Sequence, residues 1–123
     1  GHFGMVTRQG WEEQIKLARY KNVFIESGGI TWLFNDEFYP FRGAIEAIRQ
    51  ASALVGMEKL MWGSDYPRTI TAITYRMSYD FVLKSNELTP EEKAMFLGKN
   101  AEQFYGFKHL VELPYIKNMS EWI

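Results

Sequence analysis

The sequence predicts an α/β fold built on parallel strands, and three features point there. Two short apolar runs, "NVFIESGG" and "KLMWGSDYP", each end in glycine and polar residues, as buried strands do where they leave a sheet. Helical patterns flank both runs, and strands that alternate with helices pair in parallel through right-handed crossovers. Two such strands make a poor sheet alone, because a parallel sheet needs helices on both faces or closure into a barrel. The scaffold is therefore α/β and incomplete, part of a larger architecture.

Each element follows from local chemistry. From Gln9 to Tyr20, Trp11, Ile15 and Ala18 share one face while Glu12, Glu13, Lys16 and Arg19 lie elsewhere, which is amphipathic helix spacing. A strand over Val23 to Glu26 is closed by Gly28-Gly29. Ile30 to Pro40 is aromatic and aperiodic, and reads as an active-site-type loop with room for a helical turn. A helix from Phe41 to Val55 carries Ile45, Ile48, Ser52 and Val55 inward, with Gly56 as its stop. The second strand is Lys59 to Gly63. A third helix, Ile70 to Lys84, sets Ile70, Ile73, Met77 and Phe81 on one side. "TPEE" at Thr89 to Glu92 spells a helix start: Thr89 as N-cap, Pro90 in the first turn and Glu92 completing a capping box. That helix is expected to end near Gly98, and "NAEQFYG" forms one more, stopped at Gly106.

Composition narrows the functions. With 123 residues and 46% hydrophobic content, the chain can bury a core. A net charge of −1 and a pI near 6.2 offer no footprint for nucleic acid or an anionic membrane. Cysteine is absent, which removes disulfides, thiolate nucleophiles and Cys-based zinc sites and fits a cytoplasmic protein. No apolar run nears the roughly 20 residues that span a bilayer, and "GHFGMVTRQG" lacks the pattern of a signal peptide. Aromatics reach 16%, more than a domain of this size readily buries, so some are expected at a pocket or an interface.

Asp65 is the leading candidate for chemistry. It follows the apolar "LMWGS" at the carboxyl end of a strand, where α/β folds place their sites. Two readings are open: an N-cap or Asx-turn leading into Pro67, or a metal ligand or proton-transfer group. His2, between glycines in "GHFG", reads first as an ordinary loop residue and second as a ligand or base. His109 reads as structural or exposed. Glu26 and Ser27 end the first strand, and for Glu26 a strand-end surface charge is the simpler reading. Tyr66 and Arg68 are near enough to line the same mouth, and Arg68 could fork onto a carboxylate or pair with a neighbouring acid. No Gly-rich phosphate loop, serine nucleophile elbow or His-Glu-x-x-His helix is present in the sequence.

At Trp62-Gly63-Ser64-Asp65-Tyr66-Pro67 the chain resembles the amidohydrolase-related (β/α)₈ barrels, the branch of 2-pyrone-4,6-dicarboxylate lactonase, sugar-lactone hydrolases and aminocarboxymuconate-semialdehyde decarboxylase. There the last barrel strand ends in Gly-Ser-Asp-aromatic-Pro. Downstream, "LTPEEKAMFLGKNAEQFYGF" is similar to the family's closing helix, with Asn100, Ala101, Tyr105 and Gly106 in place. Upstream, "NVFIESGG" is similar to strand seven and "GHFGM" to the end of strand six. The likeness covers residues 1–107, leaving 108–123 as a tail.

The resemblance implies the C-terminal part of a TIM-like barrel, strands seven and eight with their helices. It implies an enzyme hydrolysing a lactone or similar small acyl compound. Decarboxylation of a small acid on the same barrel is the close rival, and a non-catalytic module that keeps the segment for packing is the third reading. Asp65 would bind metal or move a proton, and His2 would be a base or electrostatic partner. Apart from the resemblance, Arg68 just past Asp65 and the aromatics Trp32, Phe34 and Tyr66 suggest a small, anionic, partly apolar substrate. The cofactor implied for the intact enzyme is a divalent metal, zinc. The family's first-strand His-x-His pair and fifth-strand histidine are not among these residues. Strands with bare edges, and Val23, Ile25, Leu60 and Trp62 facing an absent barrel interior, lead us to expect a homo-oligomer or association with the rest of the barrel. Neither nucleic acid nor membrane is an expected partner.

Overall fold

Two short strands lie side by side in the computed structural model, which describes residues 2–108 and 111. β1 (Ile25–Glu26) pairs in parallel with β2 (Leu60–Met61), Ile25 opposite Leu60 and Glu26 opposite Met61. The pairing runs on past both elements. Ser27 N–H donates to the Met61 carbonyl at 2.9 Å, and Gly63 N–H donates to the Ser27 hydroxyl at 3.3 Å. Both expected strands are present but shorter, β1 to the last two residues of its expected range and β2 to two residues within its own. The parallel pair among helices is consistent with a piece of an α/β barrel. His109 and most of the 108–123 tail lie outside the described residues.

Alternation along each strand decides which face meets the helices. Leu60 is fully buried in the main apolar cluster, and Ile25 and Trp62 pack against that cluster. The Trp62 indole also meets Tyr75 and Tyr79 edge-on at 6.1 Å each, and its N–H donates to the Ser78 carbonyl at 3.0 Å. Ile25, Leu60 and Trp62 therefore face the helix layer. This corrects the expectation that they line a barrel interior; Glu26 and Met61 point to that opposite face.

Helix α1 (Trp11–Lys16) continues as a 3₁₀ turn over Leu17–Arg19, with Ile15 and Ala18 buried as the periodicity requires. α2 (Ile30–Leu33) and a 3₁₀ turn over Asn35–Glu37 occupy the aromatic loop. α3 (Arg42–Val55) stops at Gly56, whose φ of 90° is open to glycine and strained for other residues. Its buried face is Ala44, Ile45, Ala47, Ile48 and Ala51. Ser52 and Val55, expected inward, are only half-buried. The alanines complete the stripe and let α1 pack closely.

The third helix begins later than its pattern predicts. α4 spans Met77–Lys84, while Arg68–Thr71 forms a 3₁₀ turn and Ile70 is exposed. Thr69 explains the difference. Its hydroxyl donates to the Ser64 carbonyl at 2.5 Å and its N–H to the Asp65 carbonyl at 3.1 Å. Those bonds close a tight turn, and the β-branched run Thr69-Ile70-Thr71 gives little helical propensity to oppose it.

α5 (Pro90–Ala94) starts on the expected capping box. Glu92 N–H donates to the Thr89 hydroxyl at 3.2 Å, and Thr89 N–H donates to the Glu92 carboxylate at 2.8 Å. It does not end at Gly98: a π-helical turn over Met95–Lys99 carries it into α6 (Asn100–Tyr105). Gly98 keeps a helical backbone, whereas Gly106 takes the left-handed φ of 66° that terminates a helix. This helix covers the outer edge of β2. Trp62 N–H donates to the Phe96 carbonyl at 2.8 Å, and the Asn100 amide donates to the Met57 and Leu60 carbonyls at 2.7 and 2.8 Å. The expectation of a bare β2 edge is thus corrected.

Candidate functional site

At the carboxyl end of the strand pair, four of the five candidate side chains converge on one mouth. Asp65 sits four residues beyond the end of β2, in the left-handed region at φ 51°. Aspartate tolerates that conformation better than most residues. Its carboxylate does not cap the following turn. Ser64 takes that duty, its hydroxyl accepting the Tyr66 N–H at 3.2 Å. The Asp65 side chain is thereby left to point into the mouth, one-fifth exposed.

Its two oxygens have different neighbours. Oδ2 accepts the Trp32 indole N–H at 3.0 Å. Oδ1 lies 3.5 Å from Nε2 of His2, a half-exposed imidazole. His2 is delivered by a 3₁₀ turn over His2–Gly4, anchored by the fully buried Phe3. The Trp32 ring also carries Arg68, whose guanidinium carbon stands 4.5 Å from the ring centroid. That is cation–π geometry. No carboxylate among the described residues pairs with Arg68, so its expected alternative as an ion-pair partner is not what holds it here. Tyr66 behaves differently: it is 66% exposed, and its side chain makes no hydrogen bond or ring contact among the described residues.

Sequence reasoning missed the room that makes this possible. A Cβ on Gly29 would fall 2.5 Å from Trp32 Nε1, 3.1 Å from His2 and 3.2 Å from Asp65 Oδ2. Gly29, at φ 79°, is thus the empty position around which the three groups meet, and α2 starts immediately after it. A double glycine at a strand end was the available signal. Glu26 is half-buried: its carboxylate accepts the Gly28 N–H and lies against Gly63. A separate cleft of about 370 Å³, lined by Tyr39, Arg42, Phe81 and Lys84, lies in the helix layer and contains none of these groups.

Among the described residues, no three His, Cys, Asp or Glu side chains converge to hold a metal ion. Asp65 and His2 offer two donors, with one Asp65 oxygen already bonded to Trp32, whereas a catalytic zinc ordinarily takes three protein ligands. These residues do not by themselves fit a metal centre, and no chemistry below is routed through one. Nor is any described helix long and apolar enough to cross a membrane.

Residues 1–107 match the family model described as amidohydrolase, whose superfamily is typically metal-dependent. Comparison with curated proteins and with solved structures returned no match.

Proposed function

We propose, because the chain belongs to the amidohydrolase family, that it forms the Asp65-bearing part of an enzyme that hydrolyses a lactone or similar small, anionic acyl compound. One observation carries this reading: the Asp65 carboxylate is oriented by an indole N–H beside a histidine, rather than spent on capping its own turn. An ionised carboxylate so placed can take a proton from an attacking water. Oδ2 is fixed by Trp32, so Oδ1 is the proton-accepting atom. As water adds to the acyl carbon, its proton passes to Asp65. When the ring C–O bond breaks, that proton goes to the leaving alkoxide, giving a hydroxy acid. His2, when protonated, steadies charge beside Oδ1. Arg68, held over the Trp32 ring and without a carboxylate partner among the described residues, binds the substrate's acid group. Metal ligation by Asp65, the other expected role, needs donors beyond those described here. The chain's barrel context comes from a second copy or from the remaining barrel strands.

The test is a turnover assay of the barrel-length protein on small lactones and on small carboxylic acids, with its metal content measured. Lactone opening without carbon dioxide release is the expected result. Carbon dioxide release would replace this reading with decarboxylation. Inactivity on both, with metal bound and the protein folded, would leave a packing module.

A further inference from the structure

We propose that Glu26 is a positioning residue of the Asp65 site, a latch that joins the two strand ends and sets the turn from which Trp32 reaches Asp65. The inference rests on the reading of Asp65 as the working carboxylate. Glu26 ends β1, and its side chain folds back so that the carboxylate accepts the Gly28 N–H. It also lies against Gly63, at the end of the neighbouring strand. A Cβ on Gly28 would come within 2.6 Å of Glu26 Oε1, and a Cβ on Gly63 would overlap the same carboxylate. The carboxylate therefore fills a notch that exists only because both positions lack side chains.

A surface charge would extend into water. This one is half-buried, and no cation pairs with it among the described residues. Partial desolvation without a counter-charge is costly, so the Gly28 N–H bond and the notch are what hold it. The consequence reaches the mouth within two residues. Gly28 leads to Gly29, whose carbonyl accepts the Leu33 N–H at 3.1 Å and opens α2. α2 carries Trp32, and Trp32 orients Asp65. Two carboxylates thus flank one Gly28-Gly29 pair, Glu26 where a side chain on the first would lie and Asp65 near where a side chain on the second would lie.

The experiment measures hydrogen exchange of the Trp32 indole N–H by NMR in the 123-residue chain, with indole signals assigned by Trp→Phe variants. The Trp62 indole, bonded to the Ser78 carbonyl in the helix layer, is the internal control. In Glu26→Ala the Trp32 indole should exchange about tenfold faster, the scale of one lost hydrogen bond, while Trp62 stays as in the wild type. Glu26→Asp, whose carboxylate is too short for the notch, should behave likewise and serves if the alanine variant does not fold. Glu26→Gln keeps an acceptor for Gly28 and should restore protection. An unchanged Trp32 rate in Glu26→Ala or Glu26→Asp overturns the proposal, and so does equal loss at Trp32 and Trp62, which would make Glu26 a general fold residue. Because exchange does not depend on turnover, a failure of the hydrolase reading would show separately, in the assay above.

Discussion

Two aspartates, Asp65 at the strand ends and Asp80 in α4, sit in opposite surroundings. Asp80 is almost buried and saturated. It accepts the Tyr39 hydroxyl at 2.9 Å and the Lys84 ammonium at 2.8 Å, with Arg76 Nε 3.9 Å away. The Lys84 hydrogen bond holds its carboxyl below the usual carboxylate range, against the opposing effect of burial. Asp65 instead has one N–H donor and a half-exposed imidazole at the edge of hydrogen-bond reach. A carboxylate neutralised by its own helix at i+4 is committed to packing. A carboxylate oriented by a neutral donor at an open mouth is not committed in that way, and the proton transfer we propose for Asp65 depends on that difference.

The sharpest way to break this comparison is to exchange each carboxylate for its amide. In the barrel-length enzyme, Asp65→Asn should lower turnover by about 10²–10⁴-fold, the range of general acid–base catalysis. Thermal stability should hardly change, because Asn keeps the shape and an acceptor for Trp32. Asp80→Asn should do the reverse. Losing the charge that Lys84 and Arg76 meet should cost about 1–2 kcal/mol, discounted for the exposure of both cations, and lower Tm by about 4–10 °C. Activity per folded molecule should persist. Calorimetry beside a turnover assay checks both, and an active Asp65→Asn enzyme would return Asp65 to the status of a turn residue.

Acid titration sharpens the same contrast at smaller amplitude. The folded-state pKa of Asp80 lies below its unfolded value of about 3.9. Its contribution is therefore fully present above that value and is lost as pH falls through the folded pKa. Lys84 is shifted up, chiefly by its hydrogen bond to Asp80, and Tyr39 is shifted up by burial and then by Asp80. Their contributions stand below about pH 10 and are lost as pH rises through their folded values. Urea midpoints measured from neutral pH downward should show wild type and Asp80→Asn converging below about pH 4. A gap that stayed constant with pH would mean that shape, not charge, supports the network.

How much of this was legible depends on how local each cause is. The Thr89–Glu92 capping box, the Gly56 stop and the two strand ends are written in adjacent residues, and all are found. The late start of α4 was hidden because Thr69 turns back to Ser64 and Asp65, a contact that helical periodicity does not register. Gly98 looks like a stop, but a glycine ends a helix only by taking a left-handed φ, and Gly106 does that here. The faces of β1 and β2 were misassigned because alternation says which residues are alike, not which side is covered. Pairing around the mouth was legible only in part. Asp65, Arg68 and Trp32 could be named from motif and composition. Glu26 could not be connected to them, because its role comes from the absence of side chains at Gly28 and Gly63.

The smallest expected effect concerns Arg68, a permanently charged group at the mouth. Asp80 has two cations and uses them for stability, while Asp65 pairs with none that is permanently charged. Arg68 stands instead on the Trp32 ring, 4.5 Å from its centroid. That contact holds the guanidinium over the ring, and its N–H groups can still meet a carboxylate in bidentate fashion. Arg68→Met keeps much of the apolar contact with Trp32 and removes the charge. In the barrel-length enzyme it should raise KM for anionic substrates by about five- to tenfold, the scale of one charge-assisted hydrogen bond. Neutral analogues of the same size should change by less than about twofold, and kcat should hold for both. Steady-state kinetics on a matched acid and ester decide the matter. If both substrates lose equally in KM, Arg68 shapes the Trp32 face and leaves charge recognition to residues outside this segment. If kcat falls with KM unchanged, Arg68 acts on Asp65 through Trp32, and the division between the two aspartates would then rest on Trp32 rather than on charge.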